Sequence, residues 1–201
     1  MKVAFGLKAH TGWAVLIVVG LNNREFTVIE RRRVELIDEA WAKFLYHAAE
    51  KLEEAAAREL VVRGIDAAQR IALREQQRGN QVTACAVLVG DPMPDWSIEQ
   101  ILAGHIRMHR AEGVLFRDGL LRAAQACSLP ALAIPEKQLA HSAEQALGRA
   151  SCSVANQLAA LGKALGPPWG KDQKDAALSA MIALQRGAKH GHGQSVPNPS
   201  G

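Results

Sequence analysis

The chain has 201 residues, is 48% hydrophobic and 22% charged, and carries a formal net charge of +4. That composition can bury one good-sized core and excludes a low-complexity or fibrous chain. With a pI of about 9.1, the basic bias is mild, permitting contact with nucleic acid without demanding it.

Near the N-terminus, Lys8, His10 and Thr11 interrupt the apolar residues, and the unbroken run Trp13–Gly20 is too short to span a membrane. No small-residue cleavage site follows closely, so strands are predicted here rather than a signal peptide. Residues 2–7 and 13–19 form two β-rich runs joined by "KAHTG", which places His10 in a hairpin loop. In "LNNRE", Asn22 and Asn23 suit a turn with positive φ. A third strand follows in "FTVIERRRVELI", with Phe26, Val28 and Glu30 alternating with Thr27, Ile29 and Arg31. Short turns make these three strands an antiparallel meander. Arg31, Arg32 and Arg33 alternate sides on it and cannot form one basic stripe.

The pattern then turns helical over residues 38–80, with Gly64 a candidate break and an alanine-rich face that suits dimerisation or packing on the sheet. "QVTACAVLVG" is a continuous apolar run, as expected of a strand buried on both faces, and Cys85 within it reads as a small core residue. Ser97, with Glu99 and Gln100 behind it, is the expected N-cap of the helical stretch 97–128. Residues 129–136 form a short fifth strand, and residues 141–165 are helical. His105 and His109 stand i,i+4 on a helix, a metal-competent spacing that lacks a third ligand in the sequence. The remaining cysteines, Cys127 and Cys152, fit neither a disulfide framework nor a zinc pattern with Cys85, and point to a reducing cytoplasm. From residue 187 onward the chain is rich in Gly, Pro, Ser and His and is expected to be a disordered tail.

The stretch "PWGKDQKDAALSAMIAL" poses the main question. Asp172 and Asp175 share one helical face, followed by Ala176, Ala177, Ala180, Met181 and Leu184, which are expected to be buried. Two acids at the start of a buried helix are either metal ligands or the acidic first turn that a helix dipole favours.

The order β-β-β-α-β-α-β-α-α predicts an α/β fold: a mixed five-stranded sheet with helices on both faces, over residues 1–186. That is the order of the ribonuclease-H-like fold. "FGLKAHTGWAVL", keeping Gly6, Thr11, Gly12, Trp13 and Ala14, resembles the first strands of RuvC-type Holliday-junction resolvases. "HRAEGVLFRDGLLRAAQACSLPALAIPEKQL" and "GKDQKDAALSAMIAL" are similar to that family's later helix–strand segment and terminal helix. The resemblance implies a homodimeric, Mg²⁺-dependent endonuclease on branched DNA, its acids drawn from the first strand, the fourth strand and the final helix. Carried over by position, Asp172 and Asp175 match the final-helix pair. Lys8 stands where the first-strand aspartate is expected, and the fourth-strand glutamate falls near Gly90, one residue from Asp91.

Asp91, Asp172 and Asp175 are therefore the candidate catalytic and metal-binding residues, and Lys8 the candidate charge substitute for a metal. Of the other acids at sheet ends, Glu99 is expected to cap, Asp95 to be solvated, and Glu136 ranks below Asp91. Candidate nucleic-acid contacts are His10, Lys137, Arg149 and Lys174, with Lys171 alongside. The leading expectation is a RuvC-like nucleic-acid-binding protein with impaired or absent nuclease activity. The alternatives are an active Mg²⁺ endonuclease with a rearranged carboxylate cluster and a non-catalytic interaction protein. An actin-like nucleotide hydrolase shares the strand order but its paired Gly-rich loops are not seen.

Overall fold

A computed structural model describes residues 1–23, 25–36, 70, 77–148 and 151–190. Most of the helical stretch predicted for 38–80, Arg149, and residues 191–201 of the predicted tail lie outside the described residues.

The meander forms as its sequence requires: β1 (Lys2–His10), β2 (Trp13–Asn22) and β3 (Glu25–Glu35) pair antiparallel. Gly12, at φ 80°, makes the first turn, and Asn23, at φ 48°, the second. β1 is three residues longer than its apolar run, so His10 ends the strand and does not sit in a loop. β4 (Gln81–Val89) and β5 (Ala131–Pro135) add in parallel, giving the five-stranded order β3-β2-β1-β4-β5.

The predicted helix over 97–128 divides at Ala103 and Gly104 into α1 (Ile98–Leu102) and α2 (His105–Ala126). Ser97 and Gln100 cap α1 reciprocally. After β5, a 3-10 turn (Glu136–Gln138) leads into α3 (Leu139–Leu147), which Gly148 ends in the left-handed conformation. α4 (Ser151–Leu165) and α5 (Lys171–His190) follow. α5 thus runs four residues past the predicted boundary at 186, and residues 187–190 are helical. Among the described residues, no helix is long and apolar enough to cross a membrane.

Alternation along the central strands fills two cores. Ala4, Val15, Ile17, Ala84, Ala86 and Leu88 face α3, α4 and α5; Val3, Phe5, Leu7, Leu16, Cys85 and Val87 face α2 through Phe116, Leu120 and Ala124. The buried stripe expected on α5 is present, with Ala176, Ala177, Ala180 and Met181 fully inaccessible.

Two devices fix α5 over the sheet. Gly6 has no side chain where the helix crosses: a Cβ there would lie 1.9 Å from the carbonyl oxygen of Ala176. On β3, the Arg31 guanidinium donates to the carbonyls of Gly166 (2.8 Å), Pro168 (2.7 Å) and Pro167 (3.0 Å) in the loop before α5. Trp169 of the same loop donates its indole N–H to Leu158 O at 2.9 Å and fills the space where a Cβ on Gly162 would lie.

Gly6→Ala forces the helix off the strand and is expected to destabilise by about 3 kcal/mol, the upper range for overpacking; a urea-unfolding midpoint like that of the parent would refute the close approach. Arg31→Met leaves three loop carbonyls without this donor and is expected to cost about 1–3 kcal/mol. Hydrogen exchange should rise in the loop and first turn of α5 before it rises in the sheet.

Candidate functional site

The alternation of β1 decides what lines the site. Ala4, Gly6, Lys8 and His10 share one face of the strand, the face that α5 crosses. Past Gly6, that face meets the first turn of α5. Gln173 supplies the cap there, accepting the N–H of Gly170 at 2.9 Å. Asp172 and Asp175 are left to point at the strand.

Lys8 is only 6% exposed. Its Nζ lies 2.8 Å from Asp175 Oδ2, 3.2 Å from Asp172 Oδ1 and 3.2 Å from Glu136 Oε2. The ammonium donates to Asp175 and stands within ion-pair distance of the other two carboxylates. Burial alone would lower the Lys8 pKa, but the hydrogen bond and charge of Asp175, then those of Glu136, outweigh it and hold the pKa well above the ordinary 10.5.

The surrounding charges balance. Lys171 also donates to Asp175 Oδ2, at 2.5 Å, and Arg117 approaches Glu136 at 3.8 Å. Three carboxylates, Glu136, Asp172 and Asp175, thus face three obligate cations, Lys8, Lys171 and Arg117. His10 Nε2 lies 3.0 Å from Asp172 Oδ2, out of line for a hydrogen bond. The His10 ring stacks on Trp13 with centroids 4.2 Å apart, and the Arg33 guanidinium covers Trp13 at 3.9 Å.

Sequence reasoning placed Lys8, His10, Asp172 and Asp175 near one another, and the structure brings all four together. Asp91 is not brought to this cluster in the structure. It is exposed and accepts from Lys137 at 2.6 Å, which holds its carboxyl below the usual carboxylate range. The third carboxylate is Glu136, carried inward by the 3-10 turn after β5. Lys137, the next residue, points outward to Asp91, and Lys174 is exposed on α5. Arg117 went unnoticed in the sequence. Its guanidinium occupies the space beside Gly90: a Cβ there would lie 2.8 Å from Arg117 Nη1. Where the sequence resemblance places two further acids, this chain therefore has a lysine and a glycine backed by an arginine.

The donor set does not fit Mg²⁺. That ion needs oxygens at about 2.0–2.1 Å in octahedral array, whereas the point shared by these carboxylates holds an ammonium at 2.8–3.2 Å. Among the described residues, no three His, Cys, Asp or Glu side chains gather as a metal site.

No protein-family model matches the sequence, and no curated protein matches it. Solved structures do. RuvC of T. thermophilus in complex with a Holliday junction substrate matches at TM-score 0.54 and 15% identity, over 95% of this chain and 97% of that one. A second Thermus thermophilus RuvC structure matches at TM-score 0.49 and 17% identity, over 94% and 96%. The yeast mitochondrial Holliday junction resolvase Ydc2 matches at 0.47 and 12%, over 93% and 80%. The chain has the RuvC-like form of the ribonuclease-H-like fold.

Lys8→Met removes the central cation but leaves its three acids facing one another. We expect a loss of about 3 kcal/mol, the low end for breaking a buried pair because the acids keep some water contact. The pH dependence has a definite sign. With its folded pKa raised, Lys8 contributes stability in full below the unfolded value of 10.5 and loses it as pH climbs from there through the raised value. Urea titrations from pH 8 upward should show alkaline destabilisation that is smaller in Lys8→Met; an equal slope in both would contradict the pairing.

Proposed function

We propose that this chain is a RuvC-like nucleic-acid-binding protein that does not cut phosphodiesters. The carrying observation is the Lys8 ammonium at the common focus of Glu136, Asp172 and Asp175. A tethered ammonium offsets the acids, but it cannot act as a Lewis acid on a phosphoryl oxygen or activate a bound water.

Binding is supported by the fold, by the net charge of +4, and by exposed cations beside the site: Lys171, Lys174 and Lys137, with Arg33 at its edge. Paired with their acids, Lys171 and Lys137 remain 77% and 78% exposed and are open to a phosphate. The structural neighbour's bound molecule is a Holliday junction. A four-way junction has two-fold symmetry, which suits a homodimer with one shared surface patch on each subunit. The three cysteines, all free, suit a reducing cytoplasm.

Gel shifts on four-way and linear DNA should show binding without metal, with affinity falling steeply as salt rises. With Mg²⁺ or Mn²⁺ no cleavage is expected. Cutting that disappears in Asp175→Asn would instead establish an active nuclease, and neither binding nor cutting would leave a protein-interaction role. Lys8→Asp should raise Mg²⁺ affinity, measured by calorimetry; an unchanged affinity would defeat the idea that the lysine stands in for a cation.

A further inference from the structure

We propose a divalent transition-metal site on α2, built by His105 and His109 and oriented by Glu112, away from the carboxylate cluster. His105 and His109 lie one turn apart, and their Nε2 atoms converge to 3.0 Å with the rings edge-on at 86°. An ion about 2.0–2.1 Å from each nitrogen would see them at roughly a right angle, a separation both zinc and copper accept. The Nδ1 of His109 lies 3.3 Å from Glu112 Oε2. Glu112 is fully buried while the His109 side chain is 40% exposed. The two atoms stand out of line for a hydrogen bond, so the buried carboxylate acts on the ring through its charge, which favours the proton on Nδ1 and the lone pair on Nε2. A small rotation of the ring would complete the carboxylate–histidine–metal arrangement that raises ligand basicity and fixes the ring.

On metal binding, the His105 proton shared between the two Nε2 atoms moves to its own Nδ1, so that both Nε2 lone pairs meet the ion and no proton is released. Imidazole pairs select Zn²⁺, Cu²⁺ or Ni²⁺ over the hard cations Mg²⁺ and Ca²⁺. Among the described residues no third His, Cys, Asp or Glu joins them.

The test uses the full chain. Zn²⁺ titration by calorimetry should show one equivalent more for the parent than for His105→Ala or His109→Ala, both of which change exposed side chains at the helix start. This difference separates the site from the histidines of residues 190–201. With Cu²⁺, electron paramagnetic resonance should report two imidazole nitrogens in the parent and one in either variant. Glu112→Gln should weaken Zn²⁺ binding about tenfold or more. Equal stoichiometry in parent and variants, or an unchanged copper spectrum, would overturn the site. Full affinity in Glu112→Gln would overturn the positioning role of Glu112.

Discussion

The candidate site depends on a missing side chain. Gly6 lets the backbone of α5 settle onto β1, closer than any Cβ would allow. Because β1 alternates, the next residues on that face are Lys8 and His10, and because α5 begins only a turn earlier, Asp172 and Asp175 stand above them. A wider helix–strand gap would part the ammonium from the two aspartates and leave three charged groups half-solvated. Packing on one side of Gly6 therefore sets the electrostatics on the other, and Arg31 holds the same helix from β3 so that it cannot tilt away.

Three clustered carboxylates repel one another and need positive charge in or beside them. A metal-dependent cluster takes that charge from solution, so its stability follows the metal concentration. Here the charge is covalent. Lys8 donates to the centre, Lys171 flanks Asp175, and Arg117 reaches Glu136 from α2 across the gap left at Gly90. The distances are those of N–H···O contacts rather than metal–oxygen bonds. The cluster is neutral by construction and complete without a partner ion.

Much of this was legible in the sequence because it follows from period and spacing. Three-residue spacing put Asp172 and Asp175 on one side of α5, and the resemblance set Lys8 opposite them; that Lys8 and His10 continue the alternation of β1 past Gly6 emerged only with the longer strand. What escaped depends on chain direction at the ends of elements. Asp91 lies nearer the end of β4 in sequence, yet the 3-10 turn after β5 aims Glu136 inward and sends Lys137 out to meet Asp91. Gly104 and Gly148 split stretches whose apolar period runs on without interruption, and local backbone geometry rather than pattern stops the helix. Arg117 was hidden because its reach to Gly90 joins residues that share no motif. The His10–Trp13–Arg33 column was hidden for the same reason: it crosses three strands whose register only pairing reveals.

A fold shared with RuvC does not carry the chemistry with it, since function resides in the side chains mounted on the fold. The substitutions here act together rather than singly. A lysine at position 8 with a glutamate at position 90 would leave an added acid facing Arg117, while an aspartate at position 8 with the present Gly90 and Arg117 would keep one cation too few at the centre. With lysine and glycine together, each acid that remains has a cation within 4 Å. The same acids that are offset in this way also hold the first turn of α5 to β1.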